Sequence, residues 1–236
     1  MRMVDPAAGR TYVSKRRRRF NAAGEPRELT FTCYRGYPFL LRDRTRFWLK
    51  EALDRARTTF GFQLWAYVIM PEHVHLLVIP PTTSTALADG AGPVGGTSPP
   101  PSKTKGVPPS AGSKARVEAC GDEEMARFLQ AVKEPVGRKA IAHLRDTGSP
   151  WLERLRVPEG KRVRHRFWQP GGGYDRNVKQ TRTLRSMIEY LHANPVRRGL
   201  VATPEDWEWS SARWFAGLRP VPIEMDGAVL AELQRE

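Results

Sequence analysis

Two histidines one residue apart stand inside an apolar stretch rich in β-branched residues, 65–80 (WAYVIMPEHVHLLVIP). Side chains of a strand alternate between its faces, so His73 and His75 are expected on one side, opposite Val74 and Leu76. Paired neutral imidazoles suit a divalent metal ion, and two ligands, too few for a closed structural zinc site, favour an open catalytic ion. Two polar positions on a half-solvated strand would give the same pattern, so the pair alone does not decide.

Tyr190 and Asn194 could complete such a site. They are four positions apart at the end of a segment with helical periodicity, Thr181–His192, so a helix carried that far would place both on one face. An amide oxygen is a workable third ligand for a hard divalent ion, and a metal-assisted tyrosine could attack a phosphate and conserve bond energy for rejoining. Without the histidines, an ordinary amphipathic residue and a helix stop before Pro195 would be the preferred interpretations.

The charge of the chain points to a polyanionic partner. Lys and Arg number 39 against 25 Asp and Glu, giving a net charge of +14 over 236 residues. Much of the excess is clustered, which is typical of phosphate-binding arms and edges. The candidate DNA-binding residues are Lys15, Arg16, Arg17, Arg18, Arg19, Lys161, Arg162, Arg164 and Arg166.

The elements that must position these residues alternate between strand and helix patterns. The patterns predict strands at 29–34, 62–70, 73–80 and 167–170, and helices at 43–59, 123–145 and Thr181–His192. Pro135 is expected to kink or interrupt the second helix. This order predicts an α+β fold, a ferredoxin-like or RRM-like antiparallel sheet with helices packed on one face.

The domain organisation follows from shifts in composition. We expect a basic N-terminal arm (1–27), a single domain (28–218) and a C-terminal tail (219–236). A Pro-, Gly- and Ser-rich insertion, 81–116, interrupts the domain and is expected to be disordered because it cannot bury enough apolar surface. Two cysteines and no membrane-length apolar run favour a reducing cytoplasm and no membrane partner.

Three runs of residues together resemble the REP-associated tyrosine transposases, which belong to the HUH single-tyrosine transposase superfamily. They are 67–78 (YVIMPEHVHLLV), 190–200 (YLHANPVRRGL) and 207–211 (WEWSS). The resemblance covers roughly 29–80 and 123–215, and the joint presence of the runs in this order is specific where each alone would be weak.

The resemblance implies an RRM-like sheet in which His73 and His75 bind magnesium or manganese. Tyr190 would be the nucleophile that takes a 5′-phosphate of single-stranded DNA, and the substrates would be hairpins cut beside a short recognition sequence. Asn194 matches the position where related transposases carry a metal-binding Gln. Two departures from the family are the long insertion at 81–116 and the loose glycine run at 171–173.

Alternatives to this reading remain open at the level of sequence. The protein could be a domesticated hairpin-DNA-binding protein without productive transposition, or the same chemistry could serve a replication initiator or a relaxase. Tyr174 is the second candidate nucleophile. The sequence is compatible with either a monomer or a homodimer.

Overall fold

The computed structural model describes residues 2–4, 11–13, 24–82, 113–160, 162–171, 173–177 and 181–234. Its strands are β1 (Arg2–Val4), β2 (Thr11–Val13), β3 (Arg27–Thr32), β4 (Gln63–Ile69), β5 (His73–Ile79), β6 (Arg156–Glu159), β7 (Arg162–His165) and β8 (Tyr174–Asn177). Its α-helices are α1 (Asp43–Phe60), α2 (Ser113–Asp146), α3 (Trp151–Arg154), α4 (Thr181–His192), α5 (Asn194–Arg197), α6 (Ala212–Phe215) and α7 (Ala228–Leu233). Short 3-10 turns lie at Tyr34–Gly36, Phe39–Leu41 and Pro204–Asp206. Within these ranges, no helix combines the length and the hydropathy that crossing a bilayer would require.

A four-stranded antiparallel sheet with the order β4-β5-β3-β8 forms the centre of the molecule. Strand β3 is central and pairs Phe31 with Val74 and Thr30 with His75. The alternation of side chains therefore puts Phe31 and Val74 on one face and Thr30 and His75 on the other. The predicted α+β class with an antiparallel sheet is confirmed.

Helices α1 and α2 cover the apolar face of the sheet. In α1 the buried side chains recur at helical spacing, at Leu49, Ala52, Leu53 and Ala56, and the helix ends at Gly61 in the left-handed conformation. Helix α2 reaches the same face: its Phe128 stacks on Phe62 with ring centroids 4.3 Å apart, and its Lys133 lies over the ring of Phe31. This layer is the main hydrophobic core.

Helix α4 lies on the opposite face of the sheet, over Thr30 and His75. Its apolar residues Leu184, Met187, Ile188 and Leu191 are buried, as the helical period of the sequence predicts. We expected helices on one face only, because the sequence does not show which face of a strand each helix covers. The second layer matters because it turns the polar face of the sheet into one wall of a cavity.

The helix predicted at 123–145 is longer than expected, because α2 already begins at Ser113, and Pro135 does not interrupt it. The expected break is overridden by packing: Val132 and Val136, on either side of the proline, are fully buried. Of the insertion predicted at 81–116, residues 83–112 lie outside the described part of the chain, and 113–116 are helical.

The strand predicted at 167–170 is wrong, and the fourth strand of the sheet is β8 instead. Trp168 makes only an isolated bridge with Cys33. Its indole nitrogen, Nε1, donates a hydrogen bond of 2.8 Å to the carbonyl oxygen of Lys133 in α2. The aromatic residues of this segment therefore pack into the hydrophobic core. The chain forms a strand paired with β3 only after the glycines, in β8.

Gly173 explains the glycine run that precedes β8. It has a φ of +77°, and a Cβ at this position would overlap the carbonyl oxygen of Thr30. Glycine thus allows the chain to approach β3 closely enough for β8 to pair with it. A buried ion pair fixes the pairing, with Arg27 Nε and NH2 donating to the two carboxylate oxygens of Asp175 at 3.0 and 2.7 Å.

The segment 207–211 covers the outer edge of strand β4. The Ile69 amide donates to the carbonyl of Trp209 at 2.8 Å, and the Trp207 indole donates to the carbonyl of Ile69 at 3.0 Å. Ser210 forms a bridge with Val68. The tryptophan and serine run is therefore structural, since it satisfies an edge that would otherwise be open to another chain.

Residues 219–234 pack against the domain instead of forming a separate tail. Ile223 and Val229 are fully buried, and the carboxylate of Asp226 accepts hydrogen bonds of 2.7 Å from Arg57 and from the amide of Leu64. This packing was hard to predict, because the few apolar residues of the segment are scattered among charged ones.

Candidate active site

The two histidine rings meet on the polar face of the sheet, as the alternation of strand β5 requires. The ring centroids of His73 and His75 are 4.7 Å apart and the rings are nearly perpendicular. Their Nε2 atoms face each other at 2.9 Å. The prediction that both imidazoles lie on one side of the strand is therefore confirmed.

The other nitrogen of each ring is held by a neighbouring side chain. His75 Nδ1 lies 2.9 Å from Thr30 Oγ1, across the β3–β5 pair, and His73 Nδ1 lies 3.1 Å from Glu72 Oε1. Arg198 in turn donates to Glu72 Oε1 at 2.6 Å. Such contacts fix the orientation of each imidazole and leave its second nitrogen facing the other histidine.

Both imidazoles are neutral at physiological pH. Burial lowers the pKa of His73, although the adjacent Glu72 opposes the shift. Burial and the neighbouring His73 lower the pKa of His75 to about 4. Glu72 accepts a hydrogen bond from the Nδ1–H of His73, since an ionised carboxylate can only accept, so the Nε2 atom of neutral His73 carries a lone pair.

This arrangement fits the two-histidine half of a metal site. Two nitrogens bound to one ion at about 2.1 Å and a right angle would be about 3.0 Å apart, close to the Nε2 separation of 2.9 Å observed here. Among the residues that the structure describes, no group of three or more His, Cys, Asp or Glu side chains could hold an ion. Further ligands would have to come from an amide, water or substrate.

Tyr190 faces the same cavity as His75. The cavity has a volume of about 560 Å³ and lies between the sheet and α4. Its lining residues are Glu28, Thr30, His75, Arg176, Ser186, Met187 and Tyr190. The Tyr190 side chain is 52% exposed, and the guanidinium of Arg197 lies 4.8 Å from the centre of its ring. The structure therefore brings the predicted nucleophile and one predicted ligand to a single accessible cavity.

Asn194 lies one turn after Tyr190, just beyond the end of α4. Helix α4 ends at His192, and the Asn194 amide nitrogen donates to the carbonyls of Tyr190 and Leu191 at 3.2 and 3.0 Å. These bonds cap the end of α4, and Asn194 does not line the cavity. Its role as a metal ligand stays a prediction.

The predicted DNA-binding residues are only partly described. Lys15, Arg16, Arg17, Arg18, Arg19 and Lys161 lie outside the described residues. Arg162 and Arg164 are exposed on the hairpin of β6 and β7, and Arg164 and Arg166 make ion pairs with Glu159 at 3.2 and 3.5 Å. Exposed pairs of this kind are weak, so these guanidiniums can exchange the carboxylate for a phosphate. Their contact with DNA stays a prediction.

Tyr174, the second candidate nucleophile, is the first residue of β8 and pairs with Thr30 across the sheet.

Sequence reasoning missed four residues around the site: Thr30, Glu72, Arg198 and Glu28. Glu72 could have been found, since it directly precedes His73. Thr30 and Glu28 could not, because only the register of β3 against β5 brings them to the histidines.

Comparison with known proteins gives a likeness in fold. No family model matches the chain, and no curated protein matches it. A solved structure of a REP-associated tyrosine transposase bound to a REP hairpin is similar, with a TM-score of 0.51 and 17% identity over 91% of this chain and 93% of that chain. A protein from Deinococcus radiodurans, classed only provisionally as a transposase, covers 76% of this chain and 96% of its own at 18% identity and a TM-score of 0.34, too low to carry an argument. The first match shows that the two chains share a fold.

Proposed function

We propose that this protein is a metal-dependent transposase that cuts and rejoins single-stranded, hairpin-forming DNA through a covalent bond to Tyr190. One observation carries the proposal: the paired Nε2 atoms of His73 and His75 adjoin a cavity that Tyr190 also lines. The motif resemblance and the fold shared with a transposase bound to a REP hairpin support it.

The two histidines would hold the ion, magnesium or manganese, through their Nε2 atoms. When bound, a divalent ion supplies Lewis acidity that polarises a phosphate oxygen of the substrate. Thr30 and Glu72 keep both rings in the required orientation, and burial keeps them neutral. The rings are therefore preorganised as ligands.

Tyr190 would attack the scissile phosphorus. The phenolic O–H bond breaks and its proton passes to a base in the cavity or to water. A bond forms between the tyrosine oxygen and phosphorus, and the bond from phosphorus to the 3′-oxygen breaks. The released 3′-oxygen takes a proton from water, and the 5′-phosphate stays on the tyrosine. Reversal by another 3′-hydroxyl would join the strands.

Exposed guanidiniums beside the cavity would bind the negatively charged phosphates of the DNA. Arg176 lines the cavity, Arg197 lies over the Tyr190 ring and Arg198 adjoins Glu72. Arginine binds phosphate oxygens in a bidentate manner, and a positive charge near the phenol stabilises a developing phenolate. These residues can both position the phosphate and stabilise the charge that forms during attack.

A cleavage assay tests the proposal. The protein is incubated with labelled single-stranded DNA from the repeats that flank its own gene, with manganese, with magnesium or with a chelator. We expect cleavage and a protein–DNA adduct on a denaturing gel only when the ion is present. Tight hairpin binding without cleavage in either metal would instead support the domesticated DNA-binding protein.

A further inference from the structure

Glu28 is an acidic side chain that lines the same cavity as Tyr190 but has no role in the scheme above. It lies two residues before Thr30 on β3, so both side chains project to the polar face of the sheet. The neighbouring strands place Leu77 and Arg176 opposite it. The residue is 8% exposed and lines the cavity together with Tyr190.

The carboxylate of Glu28 has the positively charged Arg176 as its cross-strand neighbour. Within the described residues it makes no hydrogen bond and no ion pair closer than 4.0 Å, in contrast to the bonded carboxylates of Glu72 and Asp175. No hydrogen bond therefore commits this largely buried acid to the fold, and groups of this kind are candidates for a functional role.

The charged and titratable groups around Glu28 come from three elements: Arg176 from β8, His75 from β5 and Tyr190 from α4. Burial raises the pKa of Glu28, and the positive charge of Arg176 partly opposes the shift. A carboxylate with a raised pKa is a stronger base than an ordinary one. These are the properties of a general base.

We propose that Glu28 is a further catalytic residue, the general base that accepts the phenolic proton of Tyr190 as its oxygen attacks the phosphorus. This inference rests on the proposed function. The proton moves from the phenol to the Glu28 carboxylate, the phenolic electron pair forms the bond to phosphorus, and the released 3′-oxygen takes its proton from water. In the rejoining step Glu28 returns the proton to the departing tyrosine oxygen.

The test is the pH dependence of single-turnover cleavage. For the wild type, the rate should fall as the pH is lowered into the acidic range, because a protonated Glu28 cannot accept a proton. Glu28→Gln should be about 100-fold slower at neutral pH, within the usual contribution of a general base, and should lack this acidic limb. Glu28→Asp should retain part of the rate. Glu124→Gln is the matched control, since Glu124 is also a partly buried carboxylate but lies on α2, away from the cavity.

A more acidic nucleophile separates base catalysis from a structural role. Replacing Tyr190 by a fluorinated tyrosine should restore much of the rate lost in Glu28→Gln, because a more acidic phenol needs less help. An unchanged pH profile in Glu28→Gln, no rescue by fluorotyrosine, or a fall in hairpin affinity that accounts for the loss would each overturn the assignment. Absence of cleavage by the wild type would instead overturn the proposed function itself.

Discussion

The molecule holds two buried histidine environments that differ in what the imidazole nitrogen faces. His192 lies in the core, where its Nε2 is 2.8 Å from Ser211 Oγ. That hydroxyl donates to the carbonyl of Tyr67, so it must accept from His192. His73 and His75 instead turn their Nε2 atoms towards each other beside a cavity.

Burial lowers the pKa of His192 to about 4, as it does for His75. A strongly shifted imidazole therefore does not identify a functional site in this protein. The distinction lies in the hydrogen bonds: the Nε2 proton of His192 is committed to Ser211, whereas Thr30 and Glu72 hold the Nδ1 atoms of the pair and leave Nε2 for a ligand. Histidine therefore has a structural role in the core and is a candidate metal ligand beside the cavity.

The largest expected effect comes from removing a member of the pair. His73→Ala or His75→Ala should lower the cleavage rate by at least about 1,000-fold, because the ion would lose half of its protein nitrogens. Hairpin affinity should stay within a few-fold of wild type, since basic side chains carry the binding. Cleavage gels and filter binding measure the two quantities, and retained cleavage at low free metal would remove the ion from the mechanism.

The residues that orient the pair should have an intermediate effect. Thr30→Val removes the hydroxyl partner of His75 Nδ1, and Glu72→Gln removes the charge of the acceptor at His73 Nδ1, both with little change in volume. Metal affinity should therefore fall by about 10- to 100-fold. Titration of cleavage against manganese concentration would show the shift, and saturating metal should restore most of the rate. Thr59→Val, at an exposed threonine of α1, is the matched control.

His192 should affect stability against acid and leave the chemistry intact. Its pKa is about 4 in the folded state against an ordinary 6.5, so protonation favours the unfolded chain. The stability it supports is present above pH 6.5 and is lost as the pH falls towards 4, by up to about 3 kcal/mol.

His192→Gln should therefore be less stable than wild type at pH 7. The difference in free energy of unfolding between the two proteins should become smaller as the pH is lowered towards 4. Denaturant unfolding across that range measures it. His143→Gln, at a partly exposed position, should follow the wild-type curve. If the two free energies of unfolding differ by the same amount at every pH, protonation of His192 does not contribute to the pH dependence of stability.

Deleting residues 83–110 should have the smallest effect. These residues are rich in Pro, Gly, Ser and Thr and cannot add a substantial core. Melting temperature and cleavage rate should stay close to wild type. A large fall in melting temperature would contradict the prediction, whereas weaker DNA binding at unchanged stability would show that the lysines of this segment contact DNA.

The sequence was informative where periodicity or local order carries the structure. Strand alternation predicted the shared face of His73 and His75, and the helical period predicted Thr181–His192 with the same bounds as α4. It failed where contacts between distant segments decide. Nothing near Pro135 reveals the packing that keeps α2 continuous, and the β-prone aromatic residues at 167–170 concealed the close approach of Gly173 that creates β8.

The candidate site, like the fold, was only partly predictable from the sequence. The histidines and Tyr190 stand out by residue type and motif, but their supporting residues depend on strand register, which fixes Thr30 opposite His75. Asn194 shows the limit of spacing arguments. Its position four residues after Tyr190 brings it one turn further along the chain, but its amide nitrogen bonds to the carbonyls at the end of α4 and the residue does not line the cavity.

The most direct test of the central claim is whether Tyr190 becomes covalently joined to DNA. Wild-type protein, Tyr190→Phe and Tyr174→Phe are each incubated with 5′-labelled and 3′-labelled single-stranded hairpin DNA and manganese, then run on a denaturing gel. We predict a shifted adduct for the wild type and Tyr174→Phe, carrying only the label on the 3′ side of the cut, and none for Tyr190→Phe, which should still bind the hairpin. An adduct that persists in Tyr190→Phe and disappears in Tyr174→Phe would contradict the account.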